Sequence, residues 1–478
     1  LGRKLGTGAH GVWSGWIAVA ATPVLFYGAE FWEHAPAVAL TTVALDLATP
    51  GAGSSRCRDC ASGVCIGLAA MFRPEAAAAL PALCLARLLV GKATGGWRAG
   101  LALAAGWAAV TALMLPANHA VYGTIIPEHL SLHLKFGAEH YLPQRAVIAS
   151  TLLLPVEQVG IFVGASVVFA LLATLRGGSP TAKLALAHGV ALALIGVSVV
   201  VPLWRYAVEH TSWLTAFGTS SVAHTWPFAF VLVYVPSMST SSTDPDVKRY
   251  LAISALALFA GIFLAMPLSG GAQWSARFLL PAATPAAVLA SSALTARWPA
   301  VLTRRVRASV RFASITLLLL SVLVQVYGLR WLAIVKTLNA NIVETTERLT
   351  SPGDVVISNL FWFPELSARL YSSRRFLFAW SPAEVPEIAA RAAARGIRRF
   401  AVVTSTSETS YDPPRTIVVS GEVGAFVRTA GLDLGARSLK LYWYEPAPPE
   451  ASLRRSTHAE TRRAAVYPGA VEDPQDHR

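Results

Sequence analysis

The chain has 478 residues, of which 54% are hydrophobic and 14% are charged, and its mean hydropathy is +0.50. An ordinary soluble domain carries roughly 25% charged residues, so this composition excludes a single soluble domain and indicates an α-helical polytopic membrane protein. The net charge of +13 would suit a nucleic-acid binder, but most basic residues of the apolar part lie in short loops between hydrophobic runs, so we expect no nucleic-acid partner.

The chain begins at Leu1 rather than Met, and its first residues lack the apolar core of a signal peptide. We therefore expect that the sequence is a fragment without its original N-terminus. Its four cysteines include one Cys57-x-x-Cys60 pair, without a second pair to complete a tetrahedral metal site, so free thiols are predicted.

Hydrophobic runs follow one another through the first two thirds of the chain. A run of about 20 apolar residues can cross a bilayer, and shorter runs can do so in tilted or broken helices. By this criterion we predict about eleven transmembrane segments: 11–28, 36–49, 61–73, 75–91, 99–116, 157–175, 184–203, 225–240, 250–267, 277–295 and 312–331. The third and fourth are short, and we expect them to form a helical hairpin buried in protein.

The loops between these segments alternate in composition. One set, which includes Arg87, is rich in Lys and Arg and is predicted to be cytoplasmic. The other set is richer in acids, His and Trp, and comprises residues 30–34, 73–75, 117–156, 204–224 and 269–277. This pattern predicts a multi-pass protein of the plasma (inner) membrane, with the candidate chemistry on the extracytoplasmic face.

Two carboxylates and a histidine stand between the first two predicted segments. If the first helix continued through them, Glu30, Glu33 and His34 would lie at positions i, i+3 and i+4 on one face. Such a group could bind a divalent cation, position a general base, or only cap a helix and contact lipid headgroups. The spacing alone leaves these alternatives open.

Two arginines occupy comparable positions on the predicted outer face. Arg73 precedes Pro74, which breaks the helical hairpin, and Arg277 precedes an apolar run. The planar guanidinium group is a good phosphate ligand. The alternatives are a self-neutralising pair of Arg73 with Glu75 and an interfacial anchor at Arg277.

Other polar residues of the outer loops suit contact with a substrate. They are Gln273 and Trp274, just before Arg277, and Arg205 and His210 in the loop 204–224. The histidines His129 and His133 lack a third ligand and an HExxH frame, so no metal site is predicted from them.

The composition changes after Arg330. Short strands are predicted at 354–358, 376–378 and 399–403, with helices at 364–371 and 382–395, and 433–443 could add a hairpin. The alternation predicts a small α/β domain with some parallel pairing. We therefore divide the chain into a transmembrane bundle (1–335), an extracytoplasmic α/β domain (336–447) and a disordered tail (448–478).

The order of three motifs resembles the GT-C superfamily of integral-membrane glycosyltransferases, especially the protein O-mannosyltransferase and lipid A aminoarabinose transferase-like branch. The motifs are Ala21–Tyr27 with Glu33–Pro36, the hairpin Gly67–Glu75, and Arg277–Pro281. The resemblance implies a bundle of about thirteen helices, two of them absent from this chain, and a donor sugar carried on a polyprenyl phosphate.

The resemblance also implies the roles of individual residues. Glu33, with Glu30 and His34 beside it, would belong to the second acidic outer loop, whereas the loop that bears the primary catalytic acid would be missing, so we expect the fragment to be inactive. Arg73 and Arg277 would bind the donor phosphate during inverting transfer to the hydroxyl of a glycan, lipid or protein acceptor. The implied partners are the lipid-linked sugar and membrane lipids. No cofactor is required by the pattern, although a divalent cation stays an option.

Two other classes of function are compatible with the same features. A secondary transporter or lipid flippase would use the charges to bind and release a substrate, and would favour polar groups in both leaflets. A non-catalytic membrane scaffold would instead use its extracytoplasmic domain to bind a partner.

Overall fold

The computed structural model describes residues 8–30, 33–51, 55–90, 96–125, 222–237, 245–265, 277–295, 304–360, 362–379, 381–405, 412–418, 425–434 and 439–447, together with residues 145, 189, 204, 207 and 208. The chain divides into two compact units, Leu1–Leu332 (unit 1) and Ala333–Arg478 (unit 2). The sequence pattern had placed this division after residue 335.

Unit 1 consists of helices in the part that the structure describes. They are α1 (Gly8–Ala20), α2 (Val24–Ala29), α3 (His34–Ala48), α4 (Arg56–Phe72), α5 (Ala79–Val90), α6 (Gly96–Tyr122), α7 (Val222–Thr225), α8 (Pro245–Ala265), α9 (Leu280–Thr295) and α10 (Arg304–Leu349). Short 3-10 helices cover Pro74–Ala78, Pro227–Ser237 and Arg277–Leu279. The division between the two units falls within α10.

Three of these helices are long and apolar enough to cross a membrane: Gly96–Val121, Pro245–Ala265 and Arg304–Leu349. The apolar helix α3 is shorter, with 15 residues. The structure therefore shows a helical protein suited to a membrane, but not the eleven spans predicted. The predicted span 157–175 lies outside the described residues, as does 184–203 apart from residue 189.

The surfaces of α6 and α10 agree with a membrane environment. Large apolar side chains on these helices are at least 60% exposed, among them Leu101, Leu113, Phe312, Leu319 and Leu323. The 46 residues of α10 extend over about 69 Å. Since the hydrocarbon core of a bilayer is about 30 Å thick, only part of α10 can lie within it.

Helices α4 and α6 touch through their backbones. Gly63 and Gly67 are four residues apart on α4, and Gly106 faces them from α6. A Cβ atom added at Gly63 would lie 2.0 Å from the carbonyl oxygen of Leu103, and one added at Gly106 would lie 2.0 Å from that of Cys60. Small residues at this spacing allow membrane helices to approach closely, so the glycines set the crossing of α4 and α6.

Hydroxyl and amide groups connect other helices of unit 1. Ser14 on α1 bonds Ser291 on α9 at 2.6 Å. On α10, the Gln325 amide donates to the carbonyl oxygen of Thr225 at 2.7 Å, and the Ser321 hydroxyl accepts from the backbone N–H of Phe228 at 2.6 Å. Unpaired backbone groups are costly in apolar surroundings, so these bonds stabilise the turn between α7 and the following 3-10 helix.

Unit 2 is a six-stranded mixed sheet with the strand order β2-β1-β3-β6-β5-β4. Its elements are β1 (Val355–Ser358), α11 (Trp362–Leu366), β2 (Arg375–Phe378), α12 (Val385–Ala394), β3 (Phe400–Ser405), β4 (Thr416–Val418), β5 (Ala425–Asp433) and β6 (Leu439–Pro446). Strand β1 pairs in parallel with β2 and β3, and the remaining pairs are antiparallel.

Alternate residues of the central strands enter two different cores. Val355 and Ile357 pack on the face covered by α12. Val356 packs on the other face, with Ile342 of α10 and Phe363 of α11. The period of two along β1 thus explains why all four of its residues are buried.

The sequence pattern located β1, β2, β3 and the helix before Gly396, whose φ of 80° suits a helix end. It missed β4, and its hairpin at 433–443 omitted most of β5. The tail 448–478 lies outside the described residues, so its disorder remains a prediction.

Candidate functional site

Arg73 is placed by the break between α4 and the next 3-10 helix. Its backbone is extended, with φ −145° and ψ 114°, as expected for a residue before proline. The extended conformation ends α4 and turns the side chain into the bundle, where the residue is 8% exposed. A buried charge needs polar partners.

Two glutamates provide those partners. Arg73 Nη1 donates to Glu33 Oε1 and Arg73 Nε donates to Glu75 Oε1, both at 2.8 Å. The pair with Glu75 is the self-neutralising pair that the sequence allowed, and the bond to Glu33 joins residues 40 positions apart. The Glu75 side chain is 9% exposed, whereas that of Glu33 is 34% exposed. Glu33 is therefore the partner that water can reach.

His34 is the first residue of α3 and is 2% exposed. Its ring centroid lies 5.0 Å from that of Tyr27 and 6.3 Å from that of Phe278. Burial, together with the positive charges of Arg73 and Arg277, lowers the pKa of His34 to about 2. Glu75 Oε1 is 3.7 Å from His34 Nδ1, and because it already accepts from Arg73 it compensates the imidazolium little. His34 is therefore neutral at physiological pH.

The neutral state of His34 predicts a loss of stability in mild acid. Above pH 6.5 the imidazole is neutral in both folded and unfolded chains, so it has no effect. Below pH 6.5 only the unfolded chain gains the proton, and the free energy of unfolding falls by about 1.4 kcal/mol per pH unit, or about 2 kcal/mol at pH 5. The measurement is the unfolding free energy in detergent between pH 7 and pH 5, for the wild type and His34→Gln.

The comparison of these two proteins isolates His34 from the other titrating groups. The variant should lose less stability than the wild type over this range. Equal losses would show that His34 is protonated in the folded protein.

Arg277 and Phe278 begin the 3-10 helix that leads into α9. The Cζ atom of Arg277 lies 4.9 Å from the centroid of the Phe278 ring, and that of Arg73 lies 5.2 Å from the same centroid. Arg277 is also within electrostatic range of Glu33 and Glu75. The structure thus brings both sequence-selected arginines to one aromatic ring.

Glu30 is the C-cap residue of α2, and one of its carboxylate oxygens is buried. Its charge acts on the buried phenol of Tyr27. The condition for a shared helical face of Glu30, Glu33 and His34 is not met, because α2 ends at Ala29 and α3 begins at His34. Glu33 and His34 reach the arginines from the start of α3 instead.

The other residues selected from the sequence cannot be placed. Arg205, His210, Gln273 and Trp274 lie outside the described residues, as do His129 and His133. Among the residues that the structure describes, no three His, Cys, Asp or Glu side chains are grouped so that they could hold a metal ion.

A second buried ion pair lies at the other end of α4 and was missed by the sequence reasoning. Arg87 Nη2 donates to both carboxylate oxygens of Asp59 at 3.1 Å. Asp59 is 3% and Arg87 5% exposed, so the assignment of Arg87 to a loop is wrong: it lies inside α5. The hydroxyls of Tyr250 and Ser254 on α8 are buried near this pair without a hydrogen bond of good geometry. An acid and a base on the two helices of a hairpin were the available signal.

No protein-family model, curated protein or solved structure matches the chain.

Proposed function

We propose that unit 1 is a membrane glycosyltransferase that moves a sugar from a polyprenyl-phosphate donor to an acceptor hydroxyl on the extracytoplasmic face. The observation that carries the proposal is the meeting of Arg73 and Arg277 at one ring, beside the partly exposed carboxylate of Glu33. The order of the motifs that resembles GT-C enzymes supports the same conclusion.

The charges of the site suggest how a phosphate enters. The two carboxylates bonded to Arg73 use two of its five N–H groups, but their negative charge repels a phosphate, so we expect a donor phosphate to displace one of them. Glu33 is about one-third exposed and can be hydrated when it leaves, whereas Glu75 is nearly buried. Release of Glu75 would leave a buried charge without a partner, which is strongly unfavourable. The phosphate therefore takes the place of Glu33 on Nη1, and Glu75 keeps Arg73 oriented through Nε.

The exchange gives each residue a part in the reaction. Arg73 and Arg277 hold the phosphate and stabilise the charge that grows on it as the sugar–oxygen bond breaks. Glu33, released from Arg73, accepts a hydrogen bond from the acceptor hydroxyl. The hydroxyl oxygen forms the new bond to the anomeric carbon on the face opposite the departing polyprenyl phosphate, which inverts the configuration there, and the hydroxyl proton passes to the Glu33 carboxylate.

Two variants test this scheme through binding and transfer. Arg277→Gln removes one charged ligand, so we expect polyprenyl monophosphate to bind about 10- to 100-fold more weakly. Glu33→Gln removes the competitor for Arg73, so binding should be as tight as in the wild type or tighter, while any sugar transfer that the wild type supports should be lost. Binding is measured on the purified protein in detergent, and transfer with a panel of polyprenyl-phosphate sugars.

An exposed ion pair of unit 2 offers matched controls. Arg369 donates to Glu347 at 2.9 Å, with both side chains about half exposed. Arg369→Gln and Glu347→Gln should leave binding and transfer unchanged. The scheme is wrong if Glu33→Gln weakens phosphate binding as much as Arg277→Gln does, or if the wild type does not bind polyprenyl monophosphate.

A lipid flippase or secondary transporter is the second candidate, and one observation favours it. The Asp59–Arg87 pair and the Arg73 cluster lie 14 residues apart on or next to α4, or about 21 Å along a helix. Buried charges at both ends of one helix suit a protein that exposes a polar path to each side in turn. Movement of labelled polyprenyl phosphate across the bilayer of liposomes that contain the protein would favour this candidate over the transferase.

A further inference from the structure

Phe278 is the residue that the two arginines share. Its ring centroid lies 5.2 Å from Arg73 Cζ and 4.9 Å from Arg277 Cζ. Both distances are within the approximately 6 Å over which a guanidinium group is attracted to an aromatic ring. Phe278 was not among the residues selected from the sequence, where it reads as the start of an apolar helix.

The hydrogen bonds of Arg73 explain why a ring is useful there. Its Nε and Nη1 atoms are bonded to Glu75 and Glu33, which fixes the guanidinium group at its edge. Hydrogen bonds at its edge alone still allow the guanidinium plane of Arg73 to tilt. The Phe278 ring, packed against the group, restricts that tilt. The negative face of the ring also offsets part of the repulsion between two cations held close together.

The surroundings of Phe278 keep the ring in place. The neutral ring of His34 packs against it, and Tyr27 packs against His34 in turn. The next two residues, Leu279 and Leu280, are fully buried. The ring is thus anchored by the core through its own backbone and supported by two aromatic side chains.

We propose that Phe278 is a positioning residue that holds the guanidinium groups of Arg73 and Arg277 toward one phosphate group. This role rests on the proposed function, because it presupposes a phosphate ligand. Phe278 itself makes no polar contact with that ligand. Its effect is to fix where the two cations stand before the phosphate arrives, so that less ordering is needed on binding.

The test compares binding of polyprenyl monophosphate to three variants and the wild type. Phe278→Leu keeps an apolar side chain but removes the ring, so we expect about tenfold weaker binding. Phe278→Tyr keeps the ring, so its affinity should stay within about threefold of the wild type. Phe228→Leu is the matched control, because Phe228 is a fully buried aromatic residue of the same unit that stacks on Trp226; it should also bind normally.

A second measurement separates this inference from the proposed function. The melting temperatures of Phe278→Leu, Arg277→Gln and the double variant form a cycle that reports whether ring and cation interact. We expect the two shifts not to add, because the second substitution has no contact left to break.

The outcomes are then distinct. If the wild type binds the phosphate and Phe278→Leu binds equally well, the positioning role is overturned while the proposed function stands. If the wild type does not bind but the shifts are non-additive, the proposed function fails and the contact of ring and cations is supported. Additive shifts overturn the role of Phe278 in either case.

Discussion

An Asp59→Ala variant is expected to lose about 3–5 kcal/mol of unfolding free energy. The substitution removes the carboxylate that accepts both 3.1 Å contacts from Arg87, which is 5% exposed. The guanidinium group then stays in the bundle without its counter-ion, and that uncompensated charge accounts for most of the loss. Chemical unfolding in detergent micelles gives the measurement.

Replacing both partners should cost much less than removing one. Burial raises the pKa of Asp59 despite the nearby charges of Arg87 and Arg58, which means that desolvation of the carboxylate outweighs its attraction to its partners. An Asp59→Leu, Arg87→Met double variant removes both desolvation costs, so it should recover most of the stability.

An exposed ion pair provides the control for this experiment. Arg391 and Glu387 are more than 60% exposed, so Glu387→Ala should leave the free energy of unfolding almost unchanged. If the double variant is no more stable than Asp59→Ala, the loss comes from packing rather than from an unpaired charge.

A Gly63→Ala variant is expected to lose about 3 kcal/mol or more, since the new methyl group has no space. It would lie 2.0 Å from the carbonyl oxygen of Leu103 and 2.9 Å from the backbone nitrogen of Trp107. Both are backbone atoms, which cannot rotate away as a side chain can, so α4 and α6 must separate. Thermal unfolding of the purified protein would show the loss.

Gly261 provides the matched control for Gly63→Ala. It lies on α8, which is also long and apolar enough to cross a membrane. A Cβ atom there would lie 3.5 Å from that of Ala78, which is ordinary contact. Gly261→Ala should therefore be neutral or stabilising by up to about 1 kcal/mol, as helix propensity predicts. Equal effects at both glycines would mean that the α4–α6 crossing is looser than the structure has it.

Local sequence signals predicted the breaks in the chain well. Pro74 follows the end of α4, a turn at Pro352 and Gly353 precedes β1, and Gly396 follows the end of α12. The edge strand β4 was not predicted, because it has only three residues and only the central one is buried. A strand so short and half-exposed carries little periodic signal.

The candidate site was predicted in its residue types but not in its connections. Sidedness and motif order selected Glu33, Arg73 and Arg277, and the structure places them together. The pair of Arg73 with Glu75 was among the alternatives that the sequence allowed, but nothing local could show the bond to Glu33, which is 40 residues away. The pair of Asp59 with Arg87 was also missed. Arg87 was assigned to a basic loop from the sequence, and only the structure shows that it is buried.

Helix α4 is constrained at three levels, by Asp59 near its start, by its glycines in the middle and by Arg73 directly after its end. The rotational phase of the helix is thereby fixed along its whole length. One extra residue between Gly67 and Arg73 would turn Arg73 by about 100° and advance it by about 1.5 Å. The glycine contact and the Asp59 pair would stay in phase, but Arg73 would no longer face Glu33 and Phe278. The length of α4 is therefore as much a part of the site as the identity of its residues.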